Sequence, residues 1–159
     1  MTTALQPITL GRRPIVARLW QLYQHDLSEF RGSMPDDHGR YRTDRLRRYL
    51  HDSDRTGYLI RHGPQLAGFV LIRGLSEGRR VLGEFFVVRA ARRQGVGHAA
   101  AAAVIERHPG TWEIAFQEEN IAAARFWRRF AGDRPHREER RSVPDKPEVP
   151  PDTWLILTS

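Results

Sequence analysis

The sequence predicts an α/β fold with a mixed, mostly antiparallel central sheet and helices on both faces. Two helix-like segments precede three apolar stretches separated by turn residues, which indicates a meander of antiparallel strands. A helix then connects the third stretch to a fourth, the pattern of a parallel crossover. Two further strand-like stretches close the chain. Its 159 residues fit a single domain over 1–159 with a core of its own.

The first half of the chain alternates apolar periodicity with turn residues. Pro14 suits the first turn of a helix, and Thr43 can cap a second helix through its hydroxyl. The expected elements are a strand over 4–10, a helix over 14–30, a loop over 31–42, a helix over 43–51, and a hairpin of strands over 58–60 and 66–72.

The second half contains the crossover and the closing hairpin. The expected elements are a strand over 81–88, a helix that begins after a glycine turn and ends at Pro109, a strand over 111–117, a helix over 120–130, and strands over 137–143 and 154–158. Proline and charge dominate residues 145–151, where we expect a flexible loop.

The stretch over 81–108 joins an apolar strand to an alanine-rich helix through a Gly-Val-Gly turn over 95–97. The first N–H groups of a helix lack intrahelical partners, and the helix dipole adds positive potential there. Both glycines lack a Cβ that would hold a phosphate away from the backbone, and Arg89, Arg92 and Arg93 add charge nearby. The stretch therefore predicts a phosphate-binding turn.

The composition argues against several classes of function. The net charge is +7, but the basic residues, all arginine except Lys146, are scattered along the chain, so a nucleic-acid module is disfavoured. Without cysteine the chain has no disulfide, thiolate metal site or cysteine nucleophile, and its histidines lack metal-binding spacing. The longest apolar run is far below the about 20 residues that span a bilayer, and we expect a cytoplasmic protein.

The region over 81–130 resembles the GNAT superfamily of N-acetyltransferases. Members carry R/Q-x-x-G-x-G/A between a strand and a helix, and residues 92–97 read Arg-Arg-Gln-Gly-Val-Gly. Many have an acidic residue three before a valine at the end of that strand, as Glu84 precedes Val87. A third motif, N-x-x-A-x-x-F, is matched by Asn120, Ala123 and Phe126.

The resemblance implies acetyl-CoA as the acetyl donor, with its pantetheine arm between two parallel strands that splay apart. It implies transfer to a primary amine of a small molecule or peptide by direct attack in a ternary complex, and it leaves a homodimer open. The expected cofactor contacts are Val87, Val88, Arg92, Arg93, Gln94, Gly95, Val96, Gly97, His98, Asn120 and Trp127.

The reacting amine must lose a proton before it attacks, and Glu84 is the candidate base, directly or through water. Alternation places Glu84 on one sheet face with Leu82, Phe86 and Val88. It is equally interpretable as a strand residue that pairs with an arginine. The family places its acceptor site near the end of the first helix. Polar residues there are also interpretable as an exposed polar face with no role in acceptor binding. The acceptor candidates there are His25, Asp26 and Glu29.

The sequence departs from the family at position 127. Many members have a tyrosine seven residues after the asparagine, where it can protonate the leaving thiolate, whereas Trp127 stands here. An indole N–H is a poor acid, and Trp127 is also interpretable as a core residue, as Asn120 is as a helix N-cap. A catalytically silent acyl-CoA-binding or sensory domain is therefore the alternative function.

Glycine turns have other uses. The two glycines could make only a tight turn between strand and helix. Residues 95–100 also imitate the G-x-G-x-x-A motif of dinucleotide-binding folds. Six residues separate this turn from the strand, however, and a dinucleotide motif should follow its strand at once, so the sequence disfavours that fold.

Overall fold

A computed structural model describes residues 1–158. The strands are β1 (Thr3–Pro7), β2 (Thr56–His62), β3 (Gln65–Arg73), β4 (Arg79–Val87), β5 (Thr111–Phe116), β6 (His136–Arg141) and β7 (Asp152–Leu157). The helices are α1 (Arg13–Arg31), α2 (Asp44–His51), α3 (Val96–Arg107) and α4 (Ile121–Ala131), with 3-10 turns at Leu10–Arg12 and Arg89–Ala91. None of these helices is long and apolar enough to cross a membrane.

The strands form one mixed sheet in the order β1-β2-β3-β4-β5-β7-β6. Every neighbouring pair is antiparallel except β4 and β5, which are joined by α3 and run parallel. Helices α1 and α2 pack on one face, around Trp20 and Phe69, while α3 and α4 pack on the other, around Trp112 and Phe130. The predicted α/β class, with its mostly antiparallel sheet, is confirmed.

The sequence patterns predicted the bounds of most helices and strands to within a few residues of those in the structure. The first strand is shorter than expected, because it ends at Pro7, which has no N–H to donate, and the chain then turns through Leu10–Arg12. Thr43 does occupy the N-cap position of α2, but its side chain makes no capping hydrogen bond. The position was predicted correctly and the interaction was not.

Strand β4 contains a β-bulge at Gly83. Its neighbour β3 pairs Leu71 with Glu84 and Ile72 with Leu82, so Gly83 has no partner across the ladder. An extra residue reverses the direction of every side chain beyond it, because side chains alternate along a strand. The bulge therefore decides on which face of the sheet Glu84 lies.

The predicted sharing of a face by Glu84 and Leu82 is wrong for this reason. Leu82 packs in the cluster under α3 and α4, whereas Phe86 and Val88 pack with the cluster under α1 and α2. Glu84 contacts Tyr23 on the α1 side, so it lies with Phe86 and Val88. The single inserted residue, Gly83, therefore places Glu84 and Leu82 on opposite faces of the sheet.

The parallel strands β4 and β5 separate after four register pairs. Pairing runs from Arg79 opposite Thr111 to Leu82 opposite Ile114 and stops at the bulge. Residues 83–87 of β4 continue beside β3 alone. The splayed parallel pair that the family resemblance implied is present.

Gly68 in β3 provides a test of how tightly β3 packs on β4. A Cβ at this position would lie 1.9 Å from the backbone carbonyl oxygen of Phe86. Because strand backbone cannot yield without breaking the ladder, we expect Gly68→Ala to lower the free energy of unfolding by about 3 kcal/mol, the upper range for overpacking. Urea denaturation measures it. Gly11→Ala, which meets no atom within 4 Å, is the matched control and should change stability little.

Candidate functional site

The turn between β4 and α3 presents backbone N–H groups to solvent. Gly95 has φ 77° and ψ 1°, and Arg93 also lies in the left-handed region at φ 62°. Left-handed residues interspersed in such a turn direct successive N–H groups toward one point and make an anion-binding concavity. Gln94 closes the turn by donating from Nε2 to the carbonyl oxygen of Ala90 at 2.9 Å. The backbone geometry is thus that of an anion-binding concavity, and phosphate binding stays a prediction.

The two glycines of the turn have different physical roles. Gly95 supplies the left-handed conformation, and a Cβ there would meet no atom within 4 Å. A Cβ at Gly97 would instead lie 3.0 Å from the Phe126 ring. Gly97 therefore allows α3 to pack on α4, and its contact with a phosphate stays a prediction.

Of the other predicted contacts in this turn, Val96 is fully buried and can offer only its backbone. His98 is exposed and lies edge-on to Phe130, with ring centroids 5.2 Å apart. Arg93 and Gln94 are exposed at the turn itself. The structure thus brings the predicted phosphate contacts together at the start of α3.

Two arginines near the turn are held by Asp26 of α1. Arg89 donates to Asp26 Oδ1 at 2.7 Å, and Arg92 pairs with Oδ2. Arg92 also donates from Nε to the Val87 carbonyl oxygen at 2.8 Å. Their charges are therefore already balanced in part, and only Arg93 among the three predicted cations lies outside this cluster. The cluster fastens α1 to the end of β4.

A cavity of about 150 Å³ occupies the gap between the splayed strands. Its walls come from β4, β5 and the two helices that face each other across the sheet. The helical lining consists of Tyr23, Leu27 and Arg31 from α1, and Asn120, Ala123 and Trp127 from the start of α4 and its body. Because its walls come from both faces, the cavity connects the two sides of the sheet.

The backbone of β4 faces this gap at alternate residues. Val88 donates its N–H to the carbonyl oxygen of Ala67 at 2.8 Å, so Val88, Phe86 and Glu84 direct their backbone groups toward β3. By the same alternation, Val87 and Phe85 direct theirs toward the gap. Of the two valines predicted to bind pantetheine, only Val87 presents its backbone there.

Glu84 is buried, with 6% of its surface exposed, and both carboxylate oxygens have partners. Tyr23 donates its hydroxyl to Oε2 at 2.5 Å, and Arg45 of α2 donates from Nε to Oε1 at 2.9 Å. The arginine partner agrees with the structural interpretation of Glu84. The tyrosine partner links the carboxylate to the cavity, which Tyr23 lines.

Tyr23 is held rigidly as a neutral phenol. Its ring packs against Trp20, Phe69 and Phe86. Burial raises the pKa of Tyr23 well above its ordinary value, and the neighbouring Glu84 carboxylate raises it further. The hydroxyl can therefore donate and accept hydrogen bonds but does not ionise at neutral pH.

The predicted acceptor residues do not line the cavity. His25 and Glu29 are exposed, and Asp26 is engaged with the two arginines. The face of α1 that reaches the cavity carries Tyr23, Leu27 and Arg31 instead. The predicted residues thus lie at the same end of α1 as the cavity but outside its lining, and their role in acceptor binding stays a prediction.

Asn120 and Trp127 both line the cavity and also have structural roles. Asn120 caps α4, accepting from the Ala123 N–H at 3.2 Å through its side chain. Trp127 is 6% exposed and packs edge-on against Phe85 and Phe130. The indole thus belongs to the core and to the cavity wall together.

Sequence reasoning missed Tyr23, Arg45 and Asp152. Tyr23 was recognised only as an apolar position of the first helix, and Arg45 was one arginine among many. Asp152 lines the cavity, and among residues 1–158 its Oδ1 has no hydrogen-bond partner. No local motif distinguishes these residues, because their significance lies in contacts with distant parts of the chain.

A sequence model of the Acetyltransferase (GNAT) family matches residues 18–132, most of the chain. The chain belongs to this family. The matched region contains the bulged strand, the glycine turn, most of α1 and all of α4. No curated protein sequence matches the chain significantly.

Solved GNAT structures share the fold at low sequence identity. An acetyltransferase from Thermus thermophilus is 17% identical over 98% of this chain and 96% of its own, with a TM-score of 0.74. A spermidine N-acetyltransferase chimera from Vibrio cholerae and hSSAT is 10% identical over 99% and 96%, at 0.66. The ribosomal-protein-S18-alanine N-acetyltransferase from Escherichia coli is 13% identical over 99% and 93%, at 0.63.

The Asp26 cluster predicts a pH-dependent contribution to stability. Burial alone would raise the pKa of Asp26, but the hydrogen bonds from Arg92 and Arg89 outweigh it and hold the pKa below its ordinary value. A carboxyl group whose pKa is lowered by folding stabilises the folded state at pH values above its pKa in the unfolded chain, which is about 3.9 for Asp. This contribution is lost as the pH falls through the pKa of the folded state.

We therefore expect Asp26→Asn to lower the free energy of unfolding by about 1–2 kcal/mol at pH 7. The difference from wild type should shrink below about pH 4. Denaturation at several pH values measures it. Asp37→Asn, at an exposed loop carboxylate, is the control, and a pH-independent difference for Asp26→Asn would contradict the assignment.

Proposed function

We propose that the protein is an N-acetyltransferase that uses acetyl-CoA and transfers the acetyl group to a primary amine by direct attack in a ternary complex. The observation that carries this proposal is the cavity through the splayed sheet, since it joins the face with the phosphate-binding turn to the face with the Tyr23–Glu84 pair. Two structural neighbours are named as N-acetyltransferases, which supports an amine as acceptor.

The residues around the gap fit the chemistry of acetyl-CoA, which supplies an activated acetyl thioester when bound. The turn over 92–97 offers N–H groups to its pyrophosphate. The backbone of Phe85 can hydrogen-bond the amides of its pantetheine arm as an added strand would, and the Val87 carbonyl has a second lone pair beside the one that Arg92 uses. Asn120 and Trp127 line the cavity where the thioester would lie.

The protein groups available for chemistry are a base and a hydrogen-bond donor. Glu84 is the proposed base for the amine, and the N–H of Val87 faces the gap and can polarise the thioester carbonyl. Trp127 stands where many family members have an acidic tyrosine, and its indole can donate a hydrogen bond but is a poor acid. The absence of cysteine from the chain fits direct attack on the thioester.

The acceptor would enter on the α1 side of the sheet. Asp152 faces that side, because Leu155 and Leu157 of the same strand pack under α3 and α4. Burial raises the pKa of Asp152, with Arg31 opposing the effect. An arginine and a carboxylate at this end suit a small-molecule or peptide amine that carries further polar groups.

Calorimetry with CoA, followed by thiol release from acetyl-CoA across a panel of amines, tests the proposal. A thiol-reactive dye suffices, because a chain without cysteine gives no background. We expect CoA binding and release that depends on the amine. CoA binding without transfer to any amine, under conditions where Trp127→Tyr is also inactive, would favour the silent acyl-CoA-binding domain. Binding of nucleic acid in its place, weakening steeply with salt, would favour a basic module.

Gly95→Asp tests the phosphate-binding turn. The new carboxylate would lie beside the pyrophosphate, and we expect the Kd for CoA to rise about 100-fold or more, since like charges in contact cost several kcal/mol. The cost to folding should be small, because the Cβ meets open space and Asp tolerates a positive φ.

Two controls separate charge from strain in this experiment. Gly95→Asn has the same shape without the charge and should bind CoA better than Gly95→Asp. Gly39→Asp imposes the same left-handed strain, at φ 75°, in the exposed loop between α1 and α2 and should leave the Kd unchanged. Retained CoA affinity in folded Gly95→Asp would sink the assignment of the turn.

Glu84→Gln tests the base. It preserves size but removes the basic oxygen, so kcat/KM should fall about 10²-fold or more while CoA affinity is kept. The matched control is Glu113→Gln, at a second buried glutamate that pairs with Arg79 and Arg141 and is not among the residues that line the cavity. It should cost stability without a comparable loss of turnover. Near wild-type turnover of Glu84→Gln, with an unchanged pH profile, would exclude Glu84 as base.

A further inference from the structure

The buried carboxylate and the cavity are separated by one side chain. Among the described residues that line the cavity, Tyr23 is present and Glu84 is absent. Oε2 of Glu84 accepts from the Tyr23 hydroxyl at 2.5 Å, and Oε1 accepts from Arg45 at 2.9 Å. An amine in the cavity would therefore contact Tyr23, whose only polar side-chain group is the hydroxyl that binds Glu84, and not the carboxylate itself.

We propose that Tyr23 is a catalytic residue that relays the amine proton from the cavity to Glu84. The inference rests on the proposed function and deepens it. The Tyr23 oxygen accepts a proton from the acceptor ammonium while its own proton passes to Oε2 of Glu84. Tyr23 is a neutral phenol before and after the step, and Glu84 becomes a neutral carboxylic acid.

The relay leaves a balanced reaction. The deprotonated nitrogen forms the new C–N bond, the C–S bond breaks with its electron pair leaving on sulfur, and a second nitrogen proton ends on that sulfur as the thiol. Glu84 returns its proton to water on the side of Arg45, whose side chain is 46% exposed. One ammonium and one thioester thus give one amide, one thiol and one proton.

The environment of Tyr23 suits a relay and disfavours a role as a tyrosinate base. Its buried ring is fixed by three aromatic neighbours, which holds the hydroxyl toward Glu84. Burial and the adjacent carboxylate raise the pKa of Tyr23, so the phenolate is not populated. A group that gains one proton while losing another needs no ionised state of its own.

The charged and titratable groups that face this pair come from two helices. Arg31 of α1 and Arg45 of α2 both act on Tyr23, and their positive charge opposes the effect of Glu84. Tyr49 of α2 faces Glu84 as well, and burial followed by that carboxylate raises the pKa of Tyr49 to about 12. Any pH profile of the relay therefore includes these neighbours.

A double-mutant cycle of Tyr23→Phe and Glu84→Gln tests the relay on an amine that the wild-type protein acetylates. If both groups form one proton path, each single variant should lose about 10²-fold or more in kcat/KM, and the double variant should be no slower than the slower single one. Both single variants should also show the same altered pH profile. The Kd for CoA by calorimetry should stay at the wild-type value throughout.

Tyr49→Phe is the matched control, since Tyr49 is a second buried tyrosine that feels the Glu84 charge but does not line the cavity. We expect its kcat/KM to stay within a few-fold of wild type. If the melting temperature shows that Tyr23→Phe does not fold, fluorotyrosine at position 23 is used instead, because it keeps the ring and lowers the phenol pKa. The relay then predicts a changed rate and pH profile with unchanged CoA affinity.

Several results would overturn the relay. Tyr23→Phe turning over within about threefold of wild type, or losses that multiply to about 10⁴-fold in the double variant, would show that the two groups act separately. A fluorotyrosine protein with the wild-type profile would do the same. Failure of the proposed function looks different, because the wild-type protein would then transfer no acetyl group to any amine.

Discussion

After four register pairs the strands β4 and β5 separate, and the backbone groups that would have joined them need other partners. Buried N–H and C=O groups are costly when unpaired, so such a gap is stable only if water, side chains or a ligand satisfy it. Arg92 donates a hydrogen bond to the Val87 carbonyl oxygen. Among residues 1–158, the gap-facing backbone of β4 beyond Leu82 has no partner strand. The site therefore originates in a sheet whose pairing is left incomplete.

The bulge at Gly83 lies where the β4–β5 pairing ends, and it also sets the position of Glu84 beside the gap. It turns Glu84 toward α1 and α2, where Tyr23 and Arg45 meet both carboxylate oxygens. Removing a carboxylate from water costs several kcal/mol unless hydrogen bonds and charge replace its hydration, and these two partners do so. One inserted residue thus lies where the pairing of β4 with β5 ends, and it places the Glu84 carboxylate on the face of the sheet opposite to that of Leu82.

The order and type of the elements were predictable, because periodicity, proline and glycine act over short distances along the chain. The glycine turn was predictable for the same reason, since its residues lie within one strand–helix connection, and its binding of a phosphate stays a prediction. The bulge, the packing of Gly97 on Phe126 and the pairing of Asp26 were not, because they arise only when distant segments meet. The Tyr23–Glu84 contact joins residues 61 apart in sequence, and nothing in either local pattern indicates the other.

Strand β6 forms one edge of the sheet, and its six residues, His136–Arg141, are all ionisable. Two copies meeting edge to edge about the middle of this strand would place Glu138 against Glu139 and Arg137 against Arg140. Like charges directly opposite each other oppose strand pairing. The open edge therefore resists extension of the sheet into a second molecule, which lowers the tendency to aggregate.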